Sequence, residues 1–527
     1  MREGRLDRDA PEAESRLRPT IRFSYVFSFA AVAAALGSLI PSHRTAAFGA
    51  VLIVVALPLL NARPVLWIAL AVTVAWTSRL LTTTGLAPRF LDFMDFPLVF
   101  MGFLTAGVGH LDSVRRLPSA QRRVCVWTAV AAVVMAISWA FNDPAEPLRL
   151  LAAWVLALEP FLLLVAVLIM PMHPGDRRLL TAVTVTLLCG QLVFSAVQIF
   201  GGSVADSVKG TLLEAGAGHH VSAAGLVLGF FLLVGLRVRK AALVCFGIAA
   251  LVVCVIADAK QVLFLLPLAL LVLGVVQSSQ TPGSSTLRGL IAGGAMSAVA
   301  TFAILSYRSS STALFFIDRT TTNDTGKFAV LSALWHDVTS NPATFVFGLG
   351  PGESVSRFAF LTTPDLLKSG SPVALLGLHA SRGADRFNTI AFGGRFSGQS
   401  SFTSAQSSAL GVLGDYGVVG MLVFAILIAA ILAALYSSRD SLRASAFASW
   451  ALLLPLAVIF DWLEQPPFTL SVMILTGLAL RGPRSMRPDP VPLTGRRPRA
   501  RPAARRAAHR RGRRPRPVDR DGAPTVP

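Results

Sequence analysis

The sequence predicts an all-α polytopic membrane protein of about fourteen transmembrane helices with one large extracytoplasmic loop. Three observations carry that expectation. Of 527 residues, 54% are hydrophobic and only 14% charged, against roughly 25% charged in a soluble globular domain. Apolar runs near the roughly 20 residues that cross a bilayer recur along most of the chain. A single long polar stretch, 307–409, interrupts them late.

Taken in order, residues 1–22 (MREGRLDRDAPEAESRLRPTIR) are polar and of mixed charge. They read as a cytoplasmic N-terminal segment rather than a cleaved signal peptide. The charged region is long, and the apolar run after it lacks a small-residue cleavage site. A transmembrane bundle of about eleven helices is expected over 23–306. Its spans fall at about 23–40, 46–60, 64–82, 93–110, 124–142, 149–170, 179–200, 221–236, 241–257, 261–276 and 288–306. The second is short, and 93–110 contains Asp95 and Pro97. After the loop at 307–409, three more spans are expected within 410–480, at about 410–436, 444–460 and 468–480. Residues 481–527 are rich in Arg and Pro and supply about +12 of the formal net charge of +20. Such a segment cannot bury a core and reads as a disordered cytoplasmic tail.

Loop charge sets the orientation, because Lys and Arg stay on the cytoplasmic side. With the N-terminus inside, the inside connections include HLDSVRRLPSAQRR, HPGDRR, RVRK and SSRDSLR, together with the Arg-rich tail. The outside connections include NDPAEPLR, GGSVADSVKGTLLEAGAGHH, ADAKQ, the large loop and DWLEQPP. Basic loops fall inside almost throughout, so the expected placement is multi-pass in the plasma (inner) membrane with both termini cytoplasmic.

Composition excludes several classes. Cys125, Cys189, Cys245 and Cys254 lie in apolar runs without CxxC or Cys/His spacing, and read as buried thiols rather than metal ligands or disulfides. The basic tail has no aromatic interleaving and no fold signature, so no nucleic-acid partner is expected. Anionic lipid headgroups suit it better.

Ionisable residues in or near the membrane are costly and mark candidate sites. Asp258 and Lys260 stand at the outer start of a span, as interfacial anchors or as a cationic contact for a pyrophosphate. Glu159 lies mid-span beside Pro160, where it pairs across the bundle or sits in a watery cavity. His219 and His220 stand where a loop enters a helix; a His pair can bind metal, but no third ligand is near in sequence, and polar substrate contact or interface placement remain. In the large loop, FAVLSALWHDVTSNP places Phe328, Leu331, Leu334 and Trp335 at helical spacing, closed by Asn341-Pro342. Lys327 precedes this amphipathic helix and His336 falls on or beside its polar edge. GLGPGES then offers glycines whose N–H groups can face an anion, or a plain tight turn. Lys368, His379, Arg382, Arg386 and Arg395, with Arg319 upstream, make the loop basic enough for a diphosphate or an anionic glycan, or simply a solvated surface.

KFAVLSALW…NPATFVFGLGPGE, followed by SSALGVLGDYGVVGMLVFAIL, resembles the closing pattern of the O-antigen ligase and polymerase superfamily. There a basic residue precedes a Trp-bearing helix, then come a Pro-containing turn and Gly-x-Gly, and later a loop re-enters the membrane. ADAKQVLFLLPLALL occupies the place of that family's Ser-Arg before an apolar run. The resemblance covers the topology, the late outer loop and about three short motifs. It implies a GT-C-like bundle that transfers glycans without cofactor, metal or nucleotide sugar. The implied partners are a polyprenyl-diphosphate-linked glycan donor in the outer leaflet, a glycan or lipid-linked acceptor, membrane lipids and polysaccharide-assembly proteins. By motif position, Lys260 and Lys327 stand where the family has diphosphate-binding arginines. His219, His220, Arg319 and Arg395 are further candidate substrate contacts. The family's His before the re-entering helix is replaced here by SSFTSAQSS. That departure favours polymerase-like or divergent activity and leaves His379, His336 and Asp415 as candidate bases.

Two other classes stand beside this one. A transporter or flippase would use in-span charges such as Glu159, yet no paired or inverted repeat is visible. A non-catalytic envelope-assembly scaffold would use the loop and tail to bind partners.

Overall fold

The computed structural model describes residues 63–87, 89–108, 111–142, 146–213, 217–280, 295, 326–364, 378–392 and 405–482. Among them the secondary structure is all helical, with no strand. The spans expected at 23–40, 46–60 and 288–306, the tail, Arg319, Lys368 and Arg395 lie outside the described residues.

Among the described residues, nine helices precede the loop: α1 (Pro64–Thr83), α2 (Asp95–Val108), α3 (Leu111–Arg116), α4 (Ser119–Asn142), α5 (Pro147–Ile169), α6 (Pro174–Phe200), α7 (Gly218–Gly235), α8 (Lys240–Ile256) and α9 (Lys260–Gln280). The loop contributes α10 (Gly326–Thr339), α11 (Pro342–Phe347), α12 (Arg357–Leu361) and α13 (Arg382–Phe392). Then follow α14 (Ser408–Ser437), α15 (Arg443–Ile459) and α16 (Pro466–Leu480). Proline opens α1, α5, α6, α11 and α16, where its fixed φ suits the first turn and its missing N–H is not needed.

Among the described residues, seven helices are long and apolar enough to cross a membrane: α1, α4, α5, α6, α7, α9 and α14. Four shorter apolar helices, α2, α8, α15 and α16, accompany them. The protein is thus an all-helical membrane protein.

The packing has the character of a bundle in lipid. Outward apolar stripes run along the peripheral helices: Val126, Val133 and Ile137 on α4, Val193 and Val197 on α6, Val244, Ile248 and Val252 on α8, Leu422 and Ile426 on α14. In water such stripes would be a liability; against acyl chains they are neutral. Helix association in lipid therefore rests on close packing and hydrogen bonds, and both are present. Gly225 lies against Trp76, where an added Cβ would sit 2.4 Å from the ring, and Gly477 lies against Val167. The Trp76 indole donates to Ser471 Oγ (2.9 Å), Trp450 to Thr476 Oγ1 (3.0 Å) and Trp462 to Gln261 Oε1 (3.0 Å). The first two bonds pin α16 in the middle of the bundle, where it is buried on all sides.

The loop helices form a small second core from Val330, Leu334, Val338, Val355, Phe387, Ala391 and Ala405. The buried face of α10 is thus Val330–Leu334–Val338, packed on α13. Of the expected face, only Leu334 is fully buried, while Phe328 and Trp335 are exposed. The reason is α13: its Ala384, Phe387 and Ala391 supply a partner face at positions i, i+3 and i+7.

Candidate functional site

The glycine loop 348–356 links α11 to α12 and lies on the first turns of α14. Gly348 takes φ 80° and Gly417, inside α14, takes φ 66°. A Cβ on Gly417 would stand 2.5 Å from the Val346 carbonyl oxygen, and one on Gly348 would stand 2.4 Å from the backbone of Asp415. Both positions therefore require glycine for backbone conformation and for space. The helix ladder breaks at Gly417, and Leu349 N–H donates to the Gly414 carbonyl (2.7 Å).

The glycine loop does face an anion, and the anion is the chain's own Asp415. Its carboxylate accepts from Gly352 N–H (3.0 Å), Ser354 N–H (3.0 Å), Ser354 Oγ (2.5 Å) and Ser356 Oγ (2.7 Å). Its backbone carbonyl accepts from Ser138 of α4 (2.8 Å). Asp415 is 1% exposed. With four donors on its carboxylate and its side chain buried, Asp415 anchors the loop to α14.

His379 has a different setting. Its side chain is 87% exposed, and its Nδ1 pairs with the Glu146 carboxylate at the N-terminal edge of α5. Its backbone N–H donates to the same oxygen (3.1 Å). Arg149, buried one turn on, holds this pair in place: Nε donates to Glu146 Oε2 (3.0 Å), Nη2 to the His379 carbonyl (2.9 Å), and Nη1 to Glu353. Glu353 in turn accepts from Ser381 Oγ (3.0 Å) and Gly383 N–H (3.2 Å). Burial opposes ionisation of Glu146, but the hydrogen bonds from His379 and Arg149 outweigh it and hold the carboxyl below its ordinary range. The arrangement is a carboxylate-oriented imidazole with an open face. Sequence reasoning passed over Glu146, Arg149 and Glu353; the acid–base pair within NDPAEPLR was the available signal.

An open groove of about 360 Å³, lined by Asp337, Ser340, Thr344, Leu349, Glu353, Gly383 and Phe387, shares Glu353 with this network, and His379 is not among its lining residues. Arg386 is paired with Asp337 (2.6 Å), and the groove lining itself offers carboxylates and hydroxyls. Arg382 is exposed. His336 is exposed on α10 and is not among the groove-lining residues. Lys327 begins α10, and its side chain lies outside the described residues.

The expected contacts His219, His220 and Lys260 come together at the starts of α7 and α9. The imidazole rings stand 3.9 Å apart, and the charge of Lys260 acts on both. Asp206 faces His219 Nε2 at 3.5 Å, and Nδ1 of each ring is buried without a partner. Asp258 takes a left-handed φ of 52° at the reversal between α8 and α9, and its carboxylate holds Lys260 Nζ at 2.8 Å. Aspartate tolerates this conformation better than most residues. Among the described residues, no group of three or more His, Cys, Asp or Glu is placed to hold a metal ion.

The chain matches no protein-family model, no curated protein and no solved structure.

Proposed function

We propose that this protein is a membrane glycosyltransferase that polymerises or ligates glycans from a polyprenyl-diphosphate carrier at the outer face of the plasma membrane, within a GT-C-like bundle of about fourteen spans. The observation that carries this reading is the exposed His379 imidazole, oriented by Glu146 and by Arg149, whose other partner Glu353 lines a hydroxyl- and carboxylate-bearing groove. Hydrogen bonding of Nδ1–H to Glu146 leaves Nε2 free to accept a proton. In the proposed step, His379 Nε2 takes the proton of an acceptor hydroxyl lying in the groove. The hydroxyl oxygen bonds to the donor's anomeric carbon, and the bond from that carbon to the diphosphate oxygen breaks, its electron pair leaving with the lipid diphosphate. Developing charge on the leaving group calls for cationic or N–H donors. Lys260 with His219 and His220 is one such set, and Lys327 at the head of α10 is another.

The test compares surface glycans and lipid-linked intermediates in a strain lacking the protein with the same strain carrying the wild-type gene. The reading expects a shortened or missing surface polymer and lipid-linked units accumulating on the outer face, both reversed by wild type. An unchanged glycan profile would remove it. A second reading, a transporter or flippase, draws on the buried carboxyls Asp95 and Glu159 within the bundle. It expects lipid-linked units to accumulate on the inner face instead.

A further inference from the structure

A second acidic cluster, used neither by the glycine loop nor by His379, lies where the bundle meets the loop helices. Asp95 opens α2, Glu159 lies inside α5, and Glu464 sits in the short 3-10 turn Trp462–Glu464 between α15 and α16. They are 5%, 2% and 6% exposed. One guanidinium, that of Arg357 at the start of α12, acts on all three. Its described hydrogen bonds go to the Glu464 backbone carbonyl and to Gln465 Oε1 (3.2 Å) rather than to any of these carboxyls. Glu159 Oε1 and Glu464 Oε2 are buried with no hydrogen-bond partner.

The charged and titratable groups facing the cluster come from every neighbouring element. Asp92 precedes α2, Asp95 and Glu159 lie on α2 and α5, Arg357 on α12, Asp415 and Tyr416 on α14, and Asp461 shares the turn with Glu464. With every carboxyl ionised, one arginine would face a large excess of buried negative charge, and its attraction would not repay the desolvation of the unpaired ions. A metal does not answer this, since no described group has the ligands to hold one. A proton does: it cancels the charge and relieves the orphan oxygens without needing a coordination shell.

We propose that Glu464, with Glu159 on the adjoining α5, forms a proton-binding site at the junction of the bundle and the loop helices. Loading transfers a proton from water to a carboxylate oxygen and breaks no bond within the protein. Burial, with Asp461 and Asp415 adding to it, pushes the Glu464 carboxyl up to about 8 against the opposing pull of Arg357, which supports loading. Arg357 directly follows Ser356, whose hydroxyl holds Asp415. The site is independent of the glycan-transfer reading.

The test is infrared titration of the purified full chain in lipid nanodiscs, following the C=O stretch of protonated carboxyls. Wild type is expected to show this absorption at neutral pH, and Glu159→Gln and Glu464→Gln each to remove one component. Glutamine keeps the shape and neutrality of the loaded form. Absorption unchanged in both variants overturns the proposal. If one variant does not fold, the other decides: a lost component supports the site, and no lost component overturns it. Replacing sodium by a bulky organic cation is expected to change nothing. Absorption that falls when sodium is restored would show a metal cation displacing the proton, and would overturn the assignment.

Discussion

Asp415 and Glu464 are both buried carboxyls within the field of the same loop, and they are held in opposite ways. Asp415 accepts from four donors, two of them backbone N–H groups of the glycine loop. Glu464 has an oxygen with no partner and feels two other acids and one arginine. Burial alone therefore does not define a role. A saturated carboxylate fixes geometry, whereas an orphaned one keeps the capacity to change state. His379 and its partner Glu146 form a third case, in which a fixed carboxylate orients an exposed, unfilled base.

The largest effect is expected where saturation is broken. Asp415→Ala strands four donors in the interior, at about 1–3 kcal/mol for each buried group left unsatisfied. Thermal unfolding in nanodiscs should show a loss of at least about 3 kcal/mol, with low protein levels in cells. A near-wild-type midpoint would mean that the loop is held by something else. Gly417→Ala should come next, at about 2 kcal/mol or more, because alanine meets both a left-handed φ and the Val346 carbonyl. The same measurement reads it, and an unaltered midpoint would break the close approach of loop and helix.

Glu464→Gln sharpens the comparison through pH. The folded carboxyl titrates near 8 against an ordinary 4.5. The proton is thus held more tightly in the folded state, and stability falls as pH rises across that window. This contribution is fully present below about 4.5 and is lost as pH rises through about 8. The variant should flatten that part of the profile relative to wild type. Equal slopes would place Glu464 with the saturated carboxyls.

Much of the bundle was legible because a bilayer imposes long apolar runs on any sequence that crosses it. Among the described residues, seven of the expected spans fall on helices long and apolar enough to cross a membrane, and four others fall on shorter apolar helices. The loop was legible as helix but not as packing. FAVLSALW is apolar on more than one face, and only the presence of α13 selects Val330, Leu334 and Val338. The candidate site was partly legible. GLGPGES signalled an anion, but the anion lies 63 residues from Gly352, on another helix. His379 was visible as a lone histidine. Its orientation by Glu146 and Arg149, more than 200 residues earlier, comes only from the folded chain.

The smallest effect on stability and the most direct test of the account fall on one residue. His379 is exposed, so His379→Asn should change unfolding by less than about 0.5 kcal/mol. The measurement is the surface-glycan profile of a strain lacking the protein, restored with wild type or with His379→Asn at matched protein level. The account predicts that wild type restores the polymer, and that the variant leaves it absent while lipid-linked units accumulate on the outer face. Full restoration by His379→Asn would contradict it.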